Sequence, residues 1–343
     1  MKERNCSLDM FRMFAALGVV LCHCQVFIDV DTNLYMAIAE FLPRFTVPFF
    51  FGVAGYYYIG SLLHGKKVFG KQMKGLLTVY IAWTLIYYLA SFAINVVLGD
   101  ADIWDFLVER VVNFFTIGSY THMWYMISLI YAVILVTLAH KLGGEKGIKL
   151  MTILGIVMTV ICALGCMYYP LGSQIPVLKE FLDYEHFMVV TYWFGMGVPY
   201  FTLGYFVIKE ENSPKPWSDK IVWIMWAISL VAYLAEIWTV PFATDYFERN
   251  QVGVTVYFFT IMNLIVLLRN PLPKYQKQAK VCKYLSSFVY FLHPLVILVL
   301  KTMCNMVSIS LHSAVLYVLV LVICCLSGYV LMKSNWKIKN YLM

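Results

Sequence analysis

Charged and titratable side chains interrupt the first apolar stretch of the chain. Asp9, Arg12 and His23 lie there among mostly apolar residues. On a helix, Arg12 and His23 would lie about 20° from perfect alignment on one face and about 16 Å apart along the axis. Asp9 precedes Arg12 by one turn and can pair with it. Ionisable groups are costly inside a bilayer, so each is a functional candidate, although Arg12 could also extend to the interface and His23 could be a hydrogen-bonded core residue.

This spacing suits a long substrate whose anionic phosphates stay near one membrane surface while its reactive end reaches between the helices. Acyl-coenzyme A has this shape. Arg12 would contact the phosphates, and neutral His23 could act as a general base on an acceptor hydroxyl or accept the acyl group itself. His23 and Arg12 are therefore the catalytic candidates, and Arg12 is also a donor-binding candidate.

Basic and aromatic residues of later segments could extend this site. Lys71 and Lys74 are spaced to bind anionic groups at the cytoplasmic mouth, but basic residues are also expected there from topology alone. His122 and Trp124 begin another apolar segment. They could line an acceptor cleft, or lie in the aromatic belt with His122 facing headgroup water.

Two further polar residues lie within apolar segments. His293 precedes Pro294, which frees a backbone carbonyl and can leave the imidazole facing an internal cavity; a kink with a hydrogen-bonded histidine is the alternative. Glu236 could orient an imidazole or an acceptor hydroxyl, or lie at the membrane interface. Cys162 and Cys166 share a helix face without a third ligand, so no metal is predicted.

The composition requires membrane helices to position these residues. Of the 343 residues, 62% are hydrophobic and 13% are charged, against about 25% charged in soluble domains. The apolar runs are continuous rather than alternating, which favours helices over a β-barrel. We predict an all-α polytopic integral membrane protein with about ten transmembrane helices. They lie near residues 8–28, 45–63, 76–98, 122–140, 148–169, 189–208, 219–240, 252–268, 284–304 and 313–332.

The distribution of charge predicts the orientation. Most of the 26 Lys and Arg residues fall on one side of the membrane if the N-terminus is cytoplasmic, so both termini are predicted to be cytoplasmic. The net charge of +7 then reflects topology and contact with anionic lipids rather than nucleic acid. Residues 99–121 have the pattern of a short interfacial helix. The connections are too short for a separate core, so residues 1–343 are predicted to form a single transmembrane domain.

These motifs resemble membrane acyltransferase family 3, whose members carry an arginine and a histidine separated by ten residues in the first helix. Arg12 and His23 have this spacing. The resemblance continues in order through VPFFFGVAGYYYIG (47–60), HMWYMISLI (122–130), FGMGVPYFTLGYFV (194–207) and YFLHPLVI (290–297). It therefore covers nearly the whole chain.

The resemblance implies a bacterial inner-membrane enzyme that transfers an acyl group, commonly acetyl, from cytoplasmic acyl-coenzyme A to a hydroxyl of a cell-envelope glycan or glycolipid. It implies that His23 is the central catalytic residue and that Arg12 helps to handle the donor. Relatives often have arginines at Lys71 and Lys74, and a lysine ammonium lacks the planar fork with which arginine binds phosphate in a bidentate manner. Many relatives also carry an extracytoplasmic esterase-like domain, so the chain is expected to acylate its acceptor directly or through a separate extracytoplasmic transferase.

A second resemblance keeps a transport function open. The membrane half of the serine racemases of some vancomycin-resistant bacteria is similar in the same motifs, including those at Trp124 and His293. That half implies movement of a small solute such as serine. A transporter of this kind would work without acyl-coenzyme A, whereas an acyltransferase would depend on it.

Overall fold

A computed structural model describes residues 5–94, 102–184, 186–244, 252–336 and 339–342. Every regular element in these ranges is helical. The longer helices are α1 (Cys6–His23), α2 (Thr46–Leu63), α3 (Phe69–Phe92), α4 (Ile103–Phe115), α5 (Trp124–Gly165), α6 (Val198–Glu211), α7 (Asp219–Thr244), α8 (Thr255–Arg269), α9 (Gln276–Met306) and α10 (Ser313–Lys333). A π-helix (Tyr35–Phe41) and a 3-10 helix (Leu42–Phe45) lead into α2, and a second π-helix (Thr191–Gly197) leads into α6.

Seven helical stretches in the described ranges are long and apolar enough to cross a membrane. The protein is therefore a polytopic membrane protein of the all-α class, as predicted. Each predicted segment overlaps a helix, but 122–140 and 148–169 form the single stretch α5. Gly144 interrupts it with φ +57° and ψ −137°, a backbone conformation that glycine adopts readily. The count of ten crossings and the location of the termini stay predictions.

The predicted interfacial helix corresponds to α4. Asp102 caps its start by accepting hydrogen bonds from the backbone nitrogens of Trp104 at 2.7 Å and Asp105 at 3.1 Å. Its apolar residues Trp104 and Val108 are exposed, which suits a helix that lies on a membrane surface. The first residues of the predicted segment, 99–101, lie outside the described ranges.

Two glycines allow α2 and α6 to approach each other closely. A Cβ atom at Gly55 would lie 1.7 Å from the backbone oxygen of Phe201, and one at Gly204 would lie 2.3 Å from the backbone nitrogen of Tyr56. Helix contacts in membranes commonly use small residues in this way. The α2–α6 contact therefore depends on glycine at these positions.

Helix α1, which carries Arg12 and His23, is held at its start by neighbouring helices. It packs mainly against α9 and α2. The Asn5 side chain accepts a hydrogen bond from the backbone nitrogen of Leu8 and donates one to the backbone oxygen of Leu267, both at 3.0 Å. The α1 N-terminus is thereby capped and joined to the end of α8.

The loop after α1 is fixed to the start of α10. The backbone nitrogen of Phe27 donates to Ser313 Oγ at 2.9 Å, and the backbone nitrogen of Ser313 donates to Asp29 Oδ2 at 2.8 Å. His312 Nε2 lies 3.4 Å from the same carboxylate oxygen. The hydrogen bonds from the Ser313 hydroxyl and backbone lower the pKa of Asp29. Both ends of α1 are therefore attached to other helices.

Candidate active site

Three histidines from different parts of the chain meet where α1 ends. The His23 ring centroid lies 5.0 Å from that of His293, which lies 5.6 Å from that of His122. His23 ends α1, His122 lies just before α5, and His293 lies within α9. We call these three residues the histidine cluster. The sequence indicated each of them separately, and the fold brings them together.

The hydrogen bond of His293 determines which of its nitrogens carries a proton. His293 Nδ1 lies 2.9 Å from the backbone oxygen of Val289. Because a carbonyl oxygen only accepts, Nδ1 carries the proton and Nε2 of the neutral ring presents a lone pair. Nε2 is buried and has no hydrogen-bond partner among the described residues. The cluster therefore holds a buried acceptor atom beside His23.

His122 is enclosed by aromatic rings. Those of Tyr87, Tyr120 and Tyr290 lie at centroid distances of 5.1, 6.1 and 5.5 Å. The Tyr290 hydroxyl donates to the backbone oxygen of His122 at 2.6 Å. His122 is only 1% exposed, so it is a core residue rather than a residue that faces headgroup water.

A cavity of about 250 Å³ lies beside His23, and an ion pair forms part of its wall. The Arg44 guanidinium donates to one oxygen of Glu40. The other oxygen accepts hydrogen bonds from the Tyr35 hydroxyl at 3.1 Å and from Cys22 Sγ at 3.3 Å. We call this the ion-pair cavity, and its polar and aromatic lining residues are His23, Glu40, Arg44, Thr46, Thr121, Trp124 and Tyr192.

Sequence reasoning missed the ion pair. It assigned no role in the site to Glu40 or Arg44. The signal that could have identified them is their i,i+4 spacing, which favours pairing along a helix. The pair instead forms across the junction between the π-helix and the 3-10 helix before α2.

Trp124 lies beside His23 in the wall of the ion-pair cavity. Its ring stacks on that of Tyr192 at 4.6 Å, with an interplanar angle of 18°. Both residues line the ion-pair cavity. The stacked pair gives the cavity a flat aromatic wall.

His23 also borders a second cavity. This side cavity, of about 360 Å³, is lined by Lys301, Thr302 and Asn305 of α9 among others. Lys301 itself is exposed. His23 and Thr121 therefore border two cavities of different chemistry.

Arg12 lines a third and larger cavity of about 600 Å³, which also contacts Lys71 and Lys283. We call it the basic cavity. Arg12 Nη1 lies 2.9 Å from Asp9 Oδ1, which confirms the predicted pairing. Lys74 is exposed and does not line this cavity. The structure thus brings Lys71, but not Lys74, to the cavity of Arg12.

An aromatic layer closes the basic cavity toward the histidine cluster. Phe50, Tyr125 and Tyr290 line the cavity, and their ring centroids lie 5.5 to 6.2 Å apart. Over the described residues, the basic cavity shares no lining residue with either cavity at His23. In this conformation the cavity of Arg12 is therefore separate from the cavities at His23, and these rings must move for a thioester to reach His23.

Glu236 lies apart from the histidine cluster, and its hydrogen bonds stabilise the fold. Its carboxylate accepts hydrogen bonds from the Tyr168 hydroxyl at 2.6 Å and from the backbone nitrogens of Val254 at 2.7 Å and Thr255 at 3.0 Å. It caps the start of α8 from α7. The structure thus places it as a support for the fold and not beside an imidazole.

No group of three or more His, Cys, Asp or Glu residues in the described ranges has the arrangement of a metal site.

Comparison with known proteins identifies the family. A family model described as an acyltransferase domain matches residues 5–333. An amino-acid racemase of Enterococcus faecalis is 25% identical over 99% of this chain and 47% of that protein, and a serine/alanine racemase of Enterococcus gallinarum is 23% identical over 93% of this chain and 45% of that protein. The chain thus spans about half the length of these relatives. No solved structure matches it significantly. Because the family model covers nearly the whole sequence, the chain belongs to membrane acyltransferase family 3.

Proposed function

We propose that this membrane acyltransferase moves an acyl group, most simply acetyl, from cytoplasmic acyl-coenzyme A to a hydroxyl of a cell-envelope glycan or glycolipid. Family membership supports acyl transfer in general. The observation that carries the finer proposal is the position of His23, which contacts His293 and borders the ion-pair cavity. Arg12, on the same helix, lines the basic cavity.

The basic cavity suits the donor. Arg12, Lys71 and Lys283 provide cations for the phosphates. Asp9 holds the Arg12 side chain in place. The aromatic and apolar wall formed by residues such as Phe50 and Leu76 suits the less polar arm that carries the thioester.

His23 is the proposed general base. It accepts the proton of the acceptor hydroxyl as that oxygen attacks the thioester carbonyl carbon. A carbon–oxygen bond forms, the carbon–sulfur bond breaks, and the imidazolium returns its proton to the leaving thiolate. His293 is the proposed positioning residue, since its Nε2 lone pair can accept an N–H from His23 after a small rotation and leave the other His23 nitrogen basic.

The proposed setting is the bacterial inner membrane, with ten crossings and both termini in the cytoplasm. The break at Gly144 would divide α5 into two crossings, and the shorter α6 and α8 would supply two more. This orientation places the basic cavity toward the cytoplasm and the ion-pair cavity toward the outside. Direct acylation of the acceptor and transfer through a separate extracytoplasmic protein are both compatible with it.

A competing proposal is that this chain transports a small solute such as serine. The relatives are named an amino-acid racemase and a serine/alanine racemase, and the chain matches about half of each. A transporter of this kind would release no coenzyme A thiol.

Mass spectrometry of envelope glycans from cells with and without the gene tests the proposal. We expect one ester modification to disappear in the deletion strain and to return with the wild-type gene but not with His23→Ala. The exposed His64 provides the matched control, because His64→Ala should restore the ester. Unchanged glycans together with altered uptake of radiolabelled serine would favour transport instead.

A further inference from the structure

The ion-pair cavity combines two kinds of wall that recognise different parts of one ligand. Trp124 and Tyr192 form a stacked aromatic surface. Glu40 and Arg44 place a carboxylate and a guanidinium in the same cavity. His23 completes the lining. A ligand here would meet an apolar face, a hydrogen-bonding edge and an imidazole together.

The charge of this cavity favours an uncharged ligand. Glu40 and Arg44 neutralise each other, and both Glu40 oxygens already accept hydrogen bonds. A guanidinium has five N–H donors, and Arg44 Nε is buried without a partner among the described residues. Hydroxyl oxygens can therefore bind Arg44 while the pair stays intact. An anionic group would instead meet the Glu40 carboxylate, and a free amino acid would have to separate the pair to bind both its own charges.

The size and shape of the ion-pair cavity favour a ligand with a single ring. A volume of about 250 Å³ lies below the 300 to 1,000 Å³ that is usual for pockets that hold drug-sized ligands. A flat aromatic surface packs well against the C–H face of a ring. A sugar ring offers that face together with a rim of hydroxyl groups.

We propose that the ion-pair cavity is the acceptor subsite for one uncharged sugar ring. Trp124 and Tyr192 pack against its C–H face, Arg44 binds its hydroxyl oxygens, and one further hydroxyl lies against His23. This inference rests on the proposed acyl transfer and narrows its acceptor to a neutral sugar.

Steady-state kinetics of the full-length protein in lipid nanodiscs test the inference. The donor is acetyl-coenzyme A, and the probes are methyl glucoside, methyl glucuronide and serine, with thiol release and acetylated product both measured. We expect methyl glucoside to accelerate thiol release most. Arg44→Met should raise the KM for this probe at least about tenfold, as expected for loss of charge-assisted hydrogen bonds. The KM for acetyl-coenzyme A should change much less.

Two further variants keep the outcome interpretable. Lys301→Met alters the side cavity, which also borders His23, and should leave the methyl glucoside KM unchanged. Arg44→Lys keeps the charge beside Glu40, so it should fold even where Arg44→Met does not, and it should still raise that KM. Three results would overturn the inference. The KM for methyl glucoside could stay unchanged in both Arg44→Lys and Arg44→Met, or it could rise in Lys301→Met. The third result is thiol release that only methyl glucuronide or serine accelerates. Absence of His23-dependent thiol release with every probe would instead overturn the proposed function.

Discussion

His293 offers the clearest prediction at the residue scale. Its Nδ1 proton is committed to the Val289 carbonyl, so Nε2 can only accept. His293→Leu removes that acceptor and should lower kcat by about 10²-fold, the lower end of the range for general-base catalysis. The KM for acetyl-coenzyme A should stay close to that of the wild type. Steady-state kinetics on purified protein measure both constants.

The conservative variant separates positioning from packing. His293→Gln retains an acceptor oxygen and should recover part of the kcat that His293→Leu loses. If kcat falls equally in both variants, or if the KM for acetyl-coenzyme A changes rather than kcat, His293 does not act through His23.

Asp29 provides a pH prediction in the loop that joins α1 to α10. Hydrogen bonds from the Ser313 hydroxyl and backbone lower its pKa below the ordinary value of an aspartate. A carboxylate with a lowered pKa in the folded state stabilises the fold above its unfolded pKa, and that contribution disappears as the pH falls through the lowered value. Asp29→Asn should therefore lower the unfolding temperature at pH 7, and the difference from the wild type should shrink as the pH falls below about 4. Thermal unfolding at several pH values measures this, and a difference that grows on acidification would contradict it.

At the element scale, the α2–α6 contact predicts which glycines are required. Gly55→Ala would place a methyl group against the Phe201 carbonyl, whereas a Cβ at Gly60 would only reach ordinary contact with Ile208 Cδ1 at 3.6 Å. Overpacking of this kind costs about 1 to 3 kcal/mol. Gly55→Ala should lower the unfolding temperature in detergent, and Gly60→Ala in the same helix is its matched control. Equal stability of the two variants would exclude the close contact.

The aromatic layer between the basic cavity and the histidine cluster yields a second prediction for the packed helices. Tyr290 closes this layer, and its hydroxyl holds the His122 backbone. Tyr290→Ala should open a passage and raise the hydrolysis of acetyl-coenzyme A relative to transfer. Tyr290→Phe keeps the ring and should preserve the wild-type ratio. If Tyr290→Ala and Tyr290→Phe show the same ratio of hydrolysis to transfer, the aromatic layer is not a barrier.

For the whole molecule, the apolar pattern was sufficient to predict the class of fold. Continuous apolar runs that are long enough to cross a membrane predict helices, because backbone N–H and C=O groups in lipid need hydrogen-bond partners within the protein. The pattern could not show how α1, α5 and α9 meet, since that depends on contacts between residues far apart in sequence, such as the hydrogen bond from the Tyr290 hydroxyl to the His122 backbone oxygen. The histidines could therefore be selected one by one, but their convergence could not be predicted.

The errors in the site have similar causes. Glu40 and Arg44 resemble surface charges in sequence, because their pairing depends on the turn of the short helices before α2. The sequence leaves open whether Glu236 orients an imidazole or acceptor hydroxyl or lies at the membrane interface, since the backbone nitrogens that it caps on α8 cannot be seen in sequence. The layer around Tyr290 was missed because aromatic residues are common throughout such a chain.

His23 is the residue on which the proposed acyl transfer depends most, and one comparison of purified proteins tests its role. Wild-type protein, His23→Ala and His64→Ala would be mixed with acetyl-coenzyme A and deacetylated envelope glycan, and thiol release would be followed over time. We expect acceptor-dependent thiol release by the wild type and by His64→Ala. His23→Ala should lose at least about 10²-fold of this rate while it stays monodisperse with an unchanged unfolding temperature. Wild-type rates in folded His23→Ala would contradict this role.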